Sequence, residues 1–305
     1  MEGLNLTLEF TEREKEAIKE VSAGIDLTNR QRVLQYGDAA QREVAEFSQA
    51  ALAAAKPREL GEIGTMIGQA MAELNAFGWE DTPIGGILGL FRKSEKKAEL
   101  RRAKLTETTL VVEDISRQLE SHQLMLMKDV EILSQMYDKS LEYYKMLSMY
   151  ILAGKMKLAR ERETTLSSMQ EIARRTGLPN DAQTVKNFED MCQRFERKLR
   201  DLDSTRNIGL RLVSPIRQLQ SSHTTLSEQI RSVLLDTIPQ WKRAAAEAEQ
   251  NKDILQATNS NLANALDEVL QIHAESMQKR QTAREQLQKI ESDLKLKLLE
   301  VRDLA

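Results

Sequence analysis

The sequence predicts an all-α fold, an elongated antiparallel bundle of long, coiled-coil-like helices with a small N-terminal helical head. Three observations carry that expectation. Charged residues make up 30% of the 305-residue chain and aromatics 4%, with 13 glycines and 5 prolines, a composition suited to long solvated helices rather than turn-rich β structure. From Arg92 to Thr176 there is no proline and a single glycine, Gly154. The joints between the long segments are short, and short connections force neighbouring helices to run antiparallel.

The elements follow from punctuation and periodicity. Leu4, Leu6, Leu8 and Phe10 alternate like a strand but have no evident partner, so that segment is expected to be irregular. Thr11 with Glu14 makes a capping box that opens a helix to about Ala23. Val33, Tyr36, Ala40, Val44, Phe47 and Leu52 recur near helical spacing and predict a second helix from about Leu27 to Ala55, stopped by Pro57. A third helix is expected from about Arg58 to Phe77, with Gly61, Gly64 and Gly68 near one face and open to close helix approach. A glycine-rich connector, Pro83 to Phe91, ends this head.

Beyond it, Leu105, Val112, Ile115, Leu119, Leu126, Val130, Leu133, Tyr137, Leu141, Tyr144 and Ile151 fall at threes and fours, with a stutter at Leu126–Val130–Leu133. Gly177 and Pro179 close that helix, and Pro215 predicts a kink in the next. Thr237 and Pro239 fit the first turn of the last. The chain is thus expected to divide into a head with its connector over 1–91 and a helical rod over 92–305, with helices over about 92–176, 181–236 and 238–303.

Chemistry-bearing residues are few. His122, His223 and His273 each stand alone on a long helix, on or near the apolar seam, where a buried polar residue fixes register; a metal site would need them to meet in space. Cys192, the only cysteine, lies between Met191 and Phe195 on an apolar side and is expected to be an inert thiol. It excludes an intramolecular disulfide and fits a reducing compartment. Met125, Met127, Met136, Met146, Met149 and Met156 read as core filling, or as an adaptable or soft-metal surface. Gly61 to Gly68 lacks the Gly-Lys-Ser/Thr ending of a phosphate loop. No catalytic residue, cofactor or metal site is assigned. Met1 to Phe10 lacks the features of a secretory leader, no run is apolar enough for a membrane span, and a cytoplasmic protein is expected.

Charge is distributed unevenly. The net charge is -3, which gives no global field for nucleic acid, and none is expected as a partner. Residues 1–91 hold 8 Lys/Arg against 15 Asp/Glu, whereas residues 92–104 hold 7 against 2. Cations at a helix start oppose the macrodipole, so Arg92, Lys93, Lys96, Lys97, Arg101, Arg102 and Lys104 point to docking on phosphate head groups or an acidic partner, with Ile84, Ile87, Leu88, Leu90 and Phe91 as an apolar wedge. The competing reading is that the acidic head covers them.

Several segments together resemble a known family. They are Gln35-Tyr36-Gly37 with Ala40-Gln41 and Phe47-Ser48, Leu60-Gly61-Glu62-Ile63-Gly64, Gly86-Ile87-Leu88-Gly89-Leu90-Phe91, Tyr150-Ile151-Leu152-Ala153-Gly154-Lys155, Pro215-Ile216-Arg217-Gln218-Leu219-Gln220 and Thr237-Ile238-Pro239-Gln240-Trp241-Lys242. In order and spacing they are similar to the toxic anion resistance (TelA) family. That resemblance implies a cytoplasmic protein linked to resistance against tellurite and other toxic anions, and it transfers no catalytic residue. The expected role is a noncatalytic stress-response scaffold that offers Pro239, Gln240, Trp241 and Lys242, with the head-to-rod junction, to protein partners. Trp241 is either an anchor there or a plug of the bundle end. The alternatives are a rod held peripherally on an anionic inner membrane surface through Ile84 to Lys104, or a protein that binds the anion or a metal directly. The oligomeric state is left open.

Overall fold

In the computed structural model, the backbone is described for residues 9–55, 61–76 and 90–303, and side chains for 9–55, 63–75 and 99–300. Among the described residues every regular element is a helix: α1 (Glu12–Gly24), α2 (Arg30–Gln35), α3 (Asp38–Ala54), α4 (Gly61–Ala76), α5 (Leu90–Glu161), α6 (Ser167–Thr176), α7 (Pro179–Leu210), α8 (Val213–Ser232), α9 (Ile238–Ala246) and α10 (Lys252–Asp303). The fold is an all-α bundle of long helices with a small N-terminal helical part, as the composition and heptads predict. Two compact units share these helices. The first takes the chain up to Ala54, Gln135–Ile216 and the residues from Arg284 on; the second takes Ala55–Ser134 and Arg217–Ala283.

In the first unit, Thr11 caps α1 as expected, its hydroxyl accepting from the Glu14 amide at 3.3 Å while Glu14 Oε2 accepts from the Thr11 amide at 2.8 Å. The single helix expected over about 27–55 is instead two. Asn29 caps α2, and Gly37 turns left-handed at φ 74° between α2 and α3. Helical periodicity continues across that turn, so spacing alone hides it. A Cβ on Gly37 would lie 2.7 Å from Leu202 Cδ2, so both its conformation and its contact with α7 favour glycine. Gly154 on α5 serves α7 likewise, since a Cβ there would meet Leu199 Cδ2 at 2.4 Å and Phe195 Cζ at 3.2 Å.

Pairing sets helix directions within each unit. Arg162 with Glu196 at 2.7 Å and Arg206 with Ser148 at 3.2 Å run α5 against α7. Lys297 with Asp201 at 2.9 Å and Arg211 with Asp293 at 2.7 Å run α7 against α10. A π turn at Arg162–Leu166 joins α5 to α6, and Gly177 at φ 63° then caps α6 ahead of Pro179, where the sequence places the reversal.

The second unit holds α4, the N-terminal part of α5, most of α8, α9 and the first part of α10. Ile67, Leu74, Val112, Leu119, Leu126, Leu226, Ile230, Leu262 and Leu266 form its core, each burial contributing about 1.5–3 kcal/mol. Ser222 with Ser276 at 2.7 Å and Gln229 with Glu268 at 2.8 Å set α8 antiparallel to α10.

Two prolines act differently from expectation. The expected kink near Pro215 is a short break at 211–212, which leaves Pro215 in the first turn of α8, where its missing N–H costs nothing. Pro239 does not open a new antiparallel helix. Helical backbone runs from α8 through a π turn, Val233–Thr237, into α9, with the Ile238 amide donating to the Val233 carbonyl. The wider turn absorbs the hydrogen bond that Pro239 cannot make. The reversal falls at 247–251 instead, so the helix expected over about 238–303 is two, α9 and α10.

The expected glycine-mediated approach of α4 is not seen at Gly64 or Gly68. A Cβ on Gly64 would make ordinary contact with Leu270 at 3.6 Å, and one on Gly68 would meet nothing within 4 Å. Gly68→Ala is therefore expected to stabilise by about 0.5–1 kcal/mol through helix propensity, whereas Gly37→Ala, strained and crowded, is expected to destabilise by about 1–3 kcal/mol. Urea denaturation of the two variants checks both signs. Among the described residues, no helix is long and apolar enough to cross a membrane.

Candidate functional site

The motif residues are anchored to one another by buried polar contacts. In the first unit, the Tyr36 hydroxyl donates to the Tyr150 carbonyl at 2.8 Å, and its ring packs edge-on against Tyr150 at 5.7 Å and Phe195 at 5.1 Å. Burial pushes the Tyr36 phenol well above its ordinary pKa. Beside it, the Lys198 ammonium, on α7, binds the Asp38 carboxylate and also donates to Gln41 Oε1 at 3.0 Å, while Gln41 Nε2 donates to Thr205 Oγ1 at 2.7 Å. Two short segments far apart in sequence, Gln35–Gly37 and Tyr150–Lys155, therefore meet against α7.

In the second unit, Trp241 is fully buried. Its Nε1–H donates to Asn259 Oδ1 at 3.1 Å, and Asn259 Nδ2 donates to the Leu74 carbonyl at 2.6 Å. One asparagine thus ties α9, α10 and the last turns of α4 together. Trp241 lies in the core of this unit, and its neighbours Gln240 and Lys242 are exposed while Pro239 is half-buried.

Of the other surface candidates, Ile87 and Leu88 lie outside the described residues, and Phe91, Arg92, Lys93, Lys96 and Lys97 are described only as α5 backbone. Arg101 is half-buried. Its neighbour Arg102 binds Glu249 at 2.6 Å, so the end of the basic stretch sits beside the turn that follows α9. Lys242 lies on α9, the helix that leads into this turn. The two candidate stretches thus approach each other at one end of the second unit. The carboxylate that reaches Arg102 comes from this turn rather than from the acidic head.

The three histidines, read from the sequence as isolated residues, come together. His122 on α5, His223 on α8 and His273 on α10 are 3%, 3% and 7% exposed. The His122 and His273 rings stand 6.2 Å apart, and His223 Nε2 lies 2.6 Å from Arg280 Nη2. Arg280 is itself 3% exposed. Guanidinium only donates, so His223 Nε2 accepts and the ring proton sits on Nδ1. Asp129 Oδ2 is 4.0 Å from that Nδ1. Desolvation, with smaller contributions from His273 and Arg280, lowers the His122 pKa to about 4. Desolvation, then Arg280 and His122, does the same to His223. Both rings are neutral at neutral pH. The signal for this meeting was antiparallel register, which no single helix displays.

Cys192 is buried, and burial pushes its thiol up, away from a reactive thiolate. Among the methionines, Met125, Met127 and Met156 are exposed, while Met146 and Met149 line a groove of about 390 Å³ with Ile18 and Val21 of α1.

Residues 18–253 match the model of a family described as toxic anion resistance protein (TelA). The chain belongs to the TelA family. A TelA-like protein of Staphylococcus epidermidis is 26% identical over 98% of this chain and 92% of its own length. A Bacillus subtilis protein, YaaN, named as uncharacterized, is 26% identical over 99% of this chain and 91% of its own. A Listeria monocytogenes protein, also named as uncharacterized, is 26% identical over 96% and 86%. No solved structure matches. Within this TelA chain, the segments that carry the resemblance include Tyr36, Gly37, Tyr150, Gly154 and Trp241, which make the interhelix contacts above.

Proposed function

We propose that the chain is a noncatalytic, cytoplasmic stress-response scaffold, linked to resistance against tellurite and other toxic anions, that works by presenting helix surface to protein partners. The observation that supports this reading is how the motif side chains are used. Tyr36, Gln41 and Trp241 of the motifs, with Lys198 and Asn259 as their partners, make bonds that hold helices in register. What the same segments leave facing solvent is charged and polar helix surface, Gln240 and Lys242 among it. That surface, with Ile87, Leu88, Phe91 and the cations from Arg92 to Arg101, is the proposed partner face.

The test is a charge-reversed variant, Lys96→Glu with Lys97→Glu, Arg101→Glu and Lys242→Glu, expressed in place of the natural chain. Tellurite resistance is expected to fall by about tenfold or more while thermal melting stays within a few degrees of the parent. Full resistance in the folded variant would sink this choice of surface.

A further inference from the structure

We propose that His122, His223, His273 and Arg280 form a buried site for a small inorganic oxyanion between α5, α8 and α10 of the second unit. This goes beyond the scaffold reading and is independent of it. The chemistry of the cluster carries it. Arg280 can only donate hydrogen bonds, and by occupying His223 Nε2 at 2.6 Å it makes His223 Nδ1–H a second donor. That Nδ1 is fully buried without a hydrogen-bond partner, as is His122 Nε2. Buried polar atoms left in that state call for an ion or water that completes them. The Ser222 and Ser276 hydroxyls, 2.7 Å apart, lie on the same two helices beside His223 and one turn from His273. Sites built in bundle cores from side chains on facing helices are a common device.

The donor set selects the ligand class. A metal ion is disfavoured, because a guanidinium already sits on His223 and no group of three or more His, Cys, Asp or Glu able to hold a metal occurs among the described residues. Exposures of 3–7% rule out a phosphate carried on a larger molecule. The titratable and charged groups facing the site are His122 and Asp129 from α5, His223 from α8, and His273 and Arg280 from α10. Asp129 brings a carboxylate to 4.0 Å from His223 Nδ1. It favours an oxyanion that still carries a proton and can donate it in a hydrogen bond.

Binding should be coupled to protons. Without an anion the His122 and His223 rings resist protonation through burial. A negative charge among them reverses part of that penalty, so the complex takes up protons and binding tightens as pH falls.

The experiment is calorimetric titration of the full chain with sodium tellurite, sodium phosphate and sodium sulfate in separate arms, at about pH 6 and about pH 7.5. Histidine ring resonances are followed by NMR in parallel. Saturable binding of at least one anion is expected, about tenfold tighter at the lower pH, with movement of the ring signals, and weakened about tenfold or more by Arg280→Gln. The arm that saturates identifies the oxyanion. No saturation by any of the three up to about 10 mM overturns the site, as does binding that leaves all three histidine signals unmoved. Should Arg280→Gln fail to fold, His122→Gln replaces it, and binding equal to the parent then overturns the proposal. Failure here would leave the partner-surface reading standing, because no residue of that surface lies in the cluster.

Discussion

Replacing Asn259 with leucine is expected to destabilise the second unit by about 4 kcal/mol. The two side chains have similar volume, so the loss comes from hydrogen bonds rather than a cavity. Asn259 is the acceptor for the Trp241 indole and the donor to the Leu74 carbonyl. Leucine would leave a buried N–H and a buried C=O unanswered, each costing about 1–3 kcal/mol. Asn259→Asp should fall between parent and leucine variant, since a carboxylate still accepts from the indole but faces the Leu74 carbonyl with like charge. Trp241→Ala removes the largest side chain in this core and is expected to cost about 3–5 kcal/mol. Denaturant unfolding followed by far-UV circular dichroism reads these changes. A loss below about 1 kcal/mol for the leucine variant would mean that water takes over both bonds.

Acid should weaken the same unit through its buried histidines. His122 and His223 have pKa values near 4 in the folded chain against an ordinary 6.5, so the unfolded chain binds protons first. Their stabilising contribution is complete above about pH 6.5 and is lost as pH falls toward 4. Each histidine contributes about 1.4 kcal/mol per pH unit in that window, so unfolding free energy should drop by about 3–4 kcal/mol between about pH 7.5 and pH 5. In the first unit, Glu14, Asp26 and Glu196 are held below their ordinary pKa values chiefly by hydrogen bonds to Lys145, Thr28 and Arg162, while Glu161, despite desolvation, is held there by hydrogen bonds to Lys157 and Thr165. The double variant His122→Gln, His223→Gln should show a nearly flat profile over this range. A flat profile in the parent would show that these rings accept protons without cost.

What could be read from the sequence was local. The Thr11 capping box, the Gly177-Leu178-Pro179 reversal and the apolar spacing of α5 are each written in a few neighbouring residues, and the structure has them where the sequence puts them. Gly37 was hidden because helical spacing continues on both sides of it, and only the contact with Leu202 shows why the chain turns there. Pro239 misled because a proline one residue inside a helix start and a proline behind a π turn look alike in one dimension. The true reversal at 247–251, Glu247-Ala248-Glu249-Gln250-Asn251, contains neither glycine nor proline. With that reversal misplaced, the register between α8 and α10 could not be known. The meeting of His122, His223, His273 and Arg280 depends on that register.

The division of the helices between the two units also constrains how the chain can be made. The first unit needs segments from both ends and the middle of the sequence, and the second needs Arg217–Ala283 to complete what Ala55–Ser134 begins. Neither unit is a continuous stretch that could close on itself as it leaves the ribosome. The bonds that α7 and α8 make to α10 must wait for α10 to be made, so the seams they would cover stay exposed until then. Such high sequence separation between partners slows folding and invites aggregation. Cells producing this protein in quantity would depend on chaperone capacity most heavily before α10 has joined the two units.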